Sequence, residues 1–424
     1  MRILLIAYSF PPFQDGQSLR WYYLSNALAG LGVKIDVVTV KHPFKDQTSW
    51  HYHKNIEVMR IYPGPIESLA LKAKKDIGVE DEGNEALRTS LRFKIMKSLY
   101  WGIRNFAGNI LPGDIRTEWL PFAIRFIRKK IDISNYDFLV TSHEPWVDSL
   151  LGLYFKKGDP KIRWVADLAD PYVALYTPRH KLWFENYFEK WICENASILI
   201  FTNGKVIDHL VSKYPFLKGG KLWVIEQGFD HRFSAEREHE AHRNRIFTLI
   251  YTGTFYRGFR DPSNLIKALS MLDFEYEFIL AGRNEKFIND FKILRNNFKF
   301  LGVVDHFETL KLQRESDVLV HLANKDSSIQ IPGKFYEYLG ALKPILTIHH
   351  DKDDPTKRLV EEFRCGIACK DDPEEIKNSL KILYRRWKEN ENVCPTKIEQ
   401  IYQYSWEKKA QTIYERLMES GVRN

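Results

Sequence analysis

The chain has 424 residues, 44% of them hydrophobic and 14% aromatic, with a formal net charge of +8. That length exceeds one ordinary core and predicts two domains of roughly 200 residues each, and the apolar content excludes a disordered polymer. The four cysteines, Cys193, Cys365, Cys369 and Cys394, form no CxxC pair, a spacing that fits a reduced cytosolic protein in which Cys365 and Cys369 pack instead of react.

The apolar run "RILLIAYSF" reads as a buried parallel strand. It is broken by Ser9-Phe10-Pro11-Pro12, too soon and without the small-residue cleavage site of a secretory signal. The loop "PPFQDGQS" follows, then a helical pattern from Leu19 to Leu31 ending at Gly32, then the strand "KIDVVTV". Strand, loop, helix, strand opens a βαβ unit. Residues 85–130 break the alternation. From Ala86 to Gly113 there is no acid, whereas Arg88, Arg92, Lys94, Lys97 and Arg104 add positive charge and Leu87, Leu91, Ile95 and Leu99 recur every four residues. Residues 86–106 fit either an interfacial helix on anionic lipid or an ordinary helix packed on its own domain.

Further strands are expected at 138–142, 162–168, 197–202 and 222–227. The charged stretch Glu236 to Arg245 is the expected linker. The pattern restarts with strands at 247–255, 276–282, 298–304, 318–323 and 344–349, alternating with helices. The fold class is therefore α/β, with two facing Rossmann-like domains, 1–235 and 240–400. No run approaches the 18 or so apolar residues of a membrane span, so an intracellular protein is expected. The net charge favours an anionic partner, but the basic residues follow no nucleic-acid reading module.

The segment "IPGKFYEYLGALKPIL", 331–346, poses the sharpest chemical question. Lys334 and Glu337 both fall in the first turn of a helix, whose positive end should repel the ammonium. A bound anion such as a diphosphate removes the conflict; a solvated charge pair three residues apart is the alternative.

Taken together, "PPFQDGQSLRWYYLSNALAGLGVKIDVVTV", "DLADPY" (167–172), "YTGTFYRG" (251–258), "IPGKFYEYLGALKPIL" and the closing "YSWEKKAQTIYERL" (404–417) occur in the order expected of one family. In this set the chain resembles the retaining nucleotide-sugar glycosyltransferases of the GT-B fold, glycosyltransferase family 4. The resemblance implies a hexosyltransferase-like enzyme. It would move a sugar from a nucleotide-sugar donor to a glycan or lipid-linked acceptor, with retention of anomeric configuration, in surface polysaccharide or glycolipid synthesis. It implies an acceptor domain at 1–235, joined by a terminal helix, 404–424, that crosses back to it, and a donor domain at 240–400. It also implies a cytoplasmic protein, peripheral on the inner face of the membrane, with no nucleic-acid partner.

By the same resemblance, Glu337 holds the donor ribose, which suits a carboxylate facing a vicinal diol. The family's earlier glutamate position is Ile329 here. Arg257 and Lys334 are the diphosphate cations, with Arg260 an alternative to Arg257, and two such groups would stabilise the leaving diphosphate. Gly253 and Gly333 belong to the donor loops, and Val303 to a donor-binding loop, Gly302-Val303-Val304, on which, with first-domain surfaces, the choice of base, sugar and acceptor depends. Gly16 matches one glycine of a usual pair; Asp15 replaces the other. His143, just after a strand, matches a histidine that touches the transferred sugar, although a lone histidine also fits a structural role. Asp167 is open between orienting an acceptor hydroxyl and a structural role, while Asp170 before Pro171 reads as a turn. No cofactor and no metal are implied, and Asp351-Lys352-Asp353 reads as a solvated loop despite its D-x-D spelling. A nucleotide-sugar epimerase of the same fold, or a non-catalytic nucleotide-sugar binding protein, are the competing functions.

Overall fold

A computed structural model describes residues 1–42, 50–68, 114–143, 145–169, 179–217, 220–232, 244–325, 331–391 and 393–421, together with Ser98 and Gly102. The basic segment 86–106, apart from those two residues, Asp170 and most of the expected linker lie outside the described residues. The chain divides into two compact units. The first comprises Met1–Glu226 and Ala410–Asn424, the second Gln227–Lys409. The division precedes the charged stretch expected as linker, because the Phe229 N–H donates to the Tyr404 carbonyl and the Phe229 carbonyl accepts from the Trp406 N–H, which ties residues 227–230 to the second unit.

In the first unit, seven parallel strands run in the order β3-β2-β1-β4-β5-β6-β7. They are β1 (Arg2–Ile6), β2 (Lys34–Val40), β3 (Ile56–Ile61), β4 (Phe138–Ser142), β5 (Trp164–Ala169), β6 (Ile198–Phe201) and β7 (Leu222–Val224). The inner strands are buried on both faces, which is why they read as unbroken apolar runs. The longer helices are α1 (Gly16–Gly30), α2 (Leu120–Lys130), α3 (Trp146–Gly158), α4 (Leu182–Asn195) and α5 (Gly204–Lys213).

Six parallel strands form the second sheet, in the order β10-β9-β8-β11-β12-β13. They are β8 (Phe247–Thr252), β9 (Tyr276–Ala281), β10 (Phe298–Gly302), β11 (Val318–Leu322), β12 (Ile345–His349) and β13 (Gly366–Lys370). Its longer helices are α6 (Ser263–Ser270), α7 (His306–Glu315), α8 (Gly333–Gly340), α9 (Pro355–Phe363) and α10 (Pro373–Lys388). The terminal helix α11 (Trp406–Glu419) starts in the second unit and enters the first at Ala410. There the Arg416 guanidinium lies 5.7 Å from the centre of the Trp223 ring, and Arg163 donates to the Ser420 carbonyl.

Every strand expected from the sequence is present. β3 and β13 were not anticipated, because each lies at a sheet edge and carries charge or only half-buried residues, which weakens the apolar signal. All four cysteines are buried and free, and burial pushes the thiols of Cys193, Cys365 and Cys369 up to about 12, the state of packing thiols. Among the described residues no helix is long and apolar enough to cross a membrane.

Candidate functional site

Each sheet reverses its strand order once: between β1 and β4 in the first unit, and between β8 and β11 in the second. Open parallel sheets bind ligands beyond the carboxyl ends of the strands at such a point. Most of the residues singled out from the sequence gather at these two places.

In the second unit β8 ends at Thr252 and turns at Gly253, whose φ of +124° is a conformation open chiefly to glycine. A Cβ there would stand 3.1 Å from Lys334 Nζ. Gly282, φ +128°, closes the same corner, since a Cβ on it would fall 2.2 Å from the Gly253 carbonyl oxygen. Lys334 comes in from the first turn of α8. Its Nζ donates to the Thr252 carbonyl at 3.2 Å and lies 3.8 Å from the centre of the Tyr251 ring. Lys334 is half-buried as a residue, but its ammonium occupies this desolvated corner. Burial therefore pushes its pKa well down, the Arg260 charge pushes it further, and only Glu337 draws it back. Pro332, at the N-cap of α8, makes no side-chain hydrogen bond to the helix, so the helix start presents backbone donors beside the ammonium.

Arg260, not Arg257, is the arginine of this corner. Its guanidinium donates to Asn324 Oδ1 at 2.6 and 3.0 Å and to the Thr254 carbonyl at 3.2 Å, and its charge reaches Lys334, Tyr251 and His321. Arg257 is exposed. It pairs with Asp290 and, at 3.7 Å, with Asp261, and its guanidinium lies against the Phe287 ring. The two residues are too close in sequence for a linear reading to separate; a backbone bridge joins Tyr256 to Arg260 across the turn that holds Arg257.

One turn along α8, Glu337 is half-buried. Its Oε2 is 3.4 Å from Gln313 Nε2, which also donates to Thr252 Oγ1 at 3.1 Å. Tyr338 closes the group by accepting the Thr252 backbone N–H at 2.9 Å. The corner thus joins two cations and a helix start to a carboxylate. That combination suits an anion carrying a hydroxyl-bearing group. Gly333 leaves its nearest neighbour, Gln227, 3.6 Å from an added Cβ, so packing does not require glycine there. Val303 is exposed just beyond β10. The Asp351-Lys352-Asp353 run is exposed, and it is Asp354 that caps α9.

Sequence reasoning missed His321 on β11. Its imidazole is fully buried, packs edge-on to Phe335 at 5.0 Å, and neither ring nitrogen has a hydrogen-bond partner. Burial first, then Lys334 and Arg260, hold it neutral.

In the first unit His143 follows β4 directly. Its backbone N–H donates to the Asp167 carbonyl at 2.8 Å, and Nδ1 lies 3.2 Å from Ser149 Oγ. Burial, helped by the Arg116 charge, lowers its pKa from 6.5 to about 3. Between those values the unfolded chain binds the proton that the folded chain refuses, so stability rises with pH. We expect the unfolding free energy to fall by up to about 1.4 kcal/mol per pH unit on acidification below 6.5. His143→Gln should flatten that slope in urea titrations at pH 4 to 7. An unchanged slope would mean that this ring is not the group responsible.

Asp167 lies fully buried against Arg20, an α1 residue that sequence reasoning passed over. Arg20 Nε donates to Asp167 Oδ2 at 2.7 Å, while Nη1 and Nη2 donate to the carbonyls of Glu226 and Ile225 at 3.0 and 2.9 Å. The only sign of this in the sequence was an arginine inside an otherwise apolar helix face. Asp15, the departure from the glycine pair, is the N-cap of α1 and accepts from the Ser18 N–H at 3.0 Å; Gly16 next to it faces open space. Asp148 is a further buried carboxyl. Both its oxygens accept from the Tyr8 N–H, at 2.9 and 3.1 Å, and burial raises its pKa.

Two parallel doubly wound sheets of seven and six strands, each reversing its strand order once, match the GT-B fold. Among solved structures of this fold, the chain is similar to sucrose-phosphate synthase from Thermosynechococcus elongatus, at 15% identity and a TM-score of 0.65 over 99% of this chain and 100% of that one. Anabaena HepE in complex with UDP and glucose matches at 15% identity and 0.62 over 99% and 100%. WaaG, a glycosyltransferase involved in lipopolysaccharide biosynthesis, matches at 13% and 0.53 over 97% and 95%. No family model and no curated protein sequence matches the chain.

Proposed function

We propose that the chain is a glycosyltransferase that uses a nucleotide-sugar donor. The observation that carries this reading is the Lys334 ammonium, held in a desolvated corner with Arg260 nearby and the start of α8 beside it. A site so rich in positive charge is completed by a diphosphate. In this reading Lys334, Arg260 and the backbone at Gly253 and Gly333 hold the diphosphate. Arg257 reaches it only by leaving Asp290. Glu337 takes the ribose hydroxyls, with Gln313 steadying the carboxylate, and Val303 borders the base. The HepE complex supports a donor of this chemical class, since that protein binds UDP in the same fold.

Transfer proceeds with retention. The leaving phosphate accepts the acceptor proton, and the protein's cations carry its charge without a metal. To His143, neutral and anchored through Ser149 in the first unit, we assign contact with the transferred sugar, and to Gly16 close approach of the α1 loop backbone to ligand. The acceptor is a glycan or a lipid-linked glycan of surface polysaccharide or glycolipid synthesis.

Thermal stabilisation against a panel of nucleoside diphosphates tests the donor. A ligand at a hundredfold excess over its dissociation constant stabilises by about 2.7 kcal/mol. Product anomers read by NMR test retention, and turnover of donor alone into an epimer would replace transfer with isomerisation. Glu337→Ala should weaken binding of the matching diphosphate by about 1.5–3 kcal/mol while the free protein melts as before. An unaltered dissociation constant would remove α8 from the donor site. His143→Gln should lower kcat more than it weakens nucleotide binding.

A further inference from the structure

We propose that the face built from α2, α3 and α4 is a docking surface for an anionic phospholipid bilayer. Two features of the first unit carry this. The first is an aromatic stripe on α4: Trp183, Phe184, Tyr187, Phe188 and Trp191 recur along one side, with Trp183 74% and Tyr187 57% exposed. Exposed tryptophan and tyrosine in such a stripe are costly in water and well placed at the headgroup level of a membrane. Beside it runs a groove of about 800 Å3, floored by Leu150, Leu153 and Phe188 and bordered by the exposed Tyr154.

The second feature is the charge around that apolar strip. α2 carries Arg125, Arg128, Lys129 and Lys130 and no acid. Lys157 of α3 sits 3.4 Å from the centre of the Trp191 ring. On α4, Glu185 and Glu189 are buried, and the exposed Glu194 is neutralised by Lys190. Asp132 and Asp159, at the edge of the groove, accept backbone N–H groups of Ser134 and Lys161. An apolar aromatic strip with a basic border matches acyl chains beneath anionic headgroups, not neutral lipid or an acidic peptide.

The full chain, mixed with phosphatidylcholine vesicles containing about one third phosphatidylglycerol, should sediment with them at low salt. The bound fraction should fall several-fold between 50 and 500 mM salt, and vesicles of phosphatidylcholine alone should retain little protein. Trp183→Ser combined with Tyr187→Ser should weaken partitioning at least tenfold, as should Arg128→Glu combined with Lys157→Glu. Both pairs change exposed side chains, and a melting curve shows that each variant is folded. Full binding by both variants would place lipid contact elsewhere, for example in residues 86–106, and would overturn the proposal. So would a parent protein that ignores anionic vesicles, or one that dimerises through this face and is made monomeric by the α4 variant.

Discussion

Replacing Arg20 by methionine is expected to destabilise the first unit by about 3–5 kcal/mol, the cost of stranding a buried charge. Both side chains of the Arg20–Asp167 pair are completely buried, so no water solvates the carboxylate that remains. Arg20 also serves the carbonyls of Ile225 and Glu226, which lose their donor at the end of the unit's first segment. For a domain of this size, such a loss lowers the melting temperature by roughly 6–20 °C. Asp167→Leu combined with Arg20→Met should recover most of the stability, because well-packed apolar pairs often match buried ion pairs. That double variant separates the two roles left open for Asp167. Retained transfer would make the carboxylate a positioning group for the end of β5. A stable but inactive protein would make it a participant in the reaction. A single Arg20 variant within 1 kcal/mol of the parent would contradict the buried pair itself.

Lys334→Met is expected to lower kcat by about 100- to 1,000-fold, the usual cost of removing one preorganised charge from a developing anion. The folded protein should tolerate the change, since the lysine stem lies against Gly253 and methionine fills most of the same volume. Binding should also report the proton. In the free protein burial and Arg260 depress the ammonium's pKa, and a bound diphosphate restores it. Diphosphate binding therefore takes up a proton, and affinity falls as pH rises through the free-protein value. Calorimetry in buffers of different ionisation enthalpy measures this uptake. Proton uptake that persists in Lys334→Met would assign it to another group, with His321 the nearest buried candidate. A mutant with parental kcat and parental diphosphate affinity would dissolve the donor-site reading.

Where sequence and structure agree, the property concerned is local. The run "FTLIYT" is a buried strand wherever it sits, because six consecutive buried positions leave no room for polar alternation. Pro332-Gly333 starts a helix that places Lys334 and Glu337 three residues apart on one side, and that much was legible in the segment 331–346. The glycine-bearing turn after β8 was legible too, whereas the positive φ of Gly253 is seen only in the structure. β3 and β13 escaped because an edge strand is only partly buried and its residues mix charge with apolar groups.

By itself, then, the sequence determined two alternating α/β units, the strand runs and the helix that bears Lys334 and Glu337, since periodicity and turn chemistry act over a few neighbouring residues. Only the tertiary structure decided which charges meet. Asp167 finds Arg20 147 positions away because β5 comes to lie near the start of α1. Of the two candidate arginines, Arg260 acts on Lys334 whereas Arg257 pairs with Asp261 and Asp290. His321 is an orphan, and the α4 aromatics face outward, for a related reason. Strand order and helix rotation assign burial, and they depend on contacts between distant segments that no local pattern encodes.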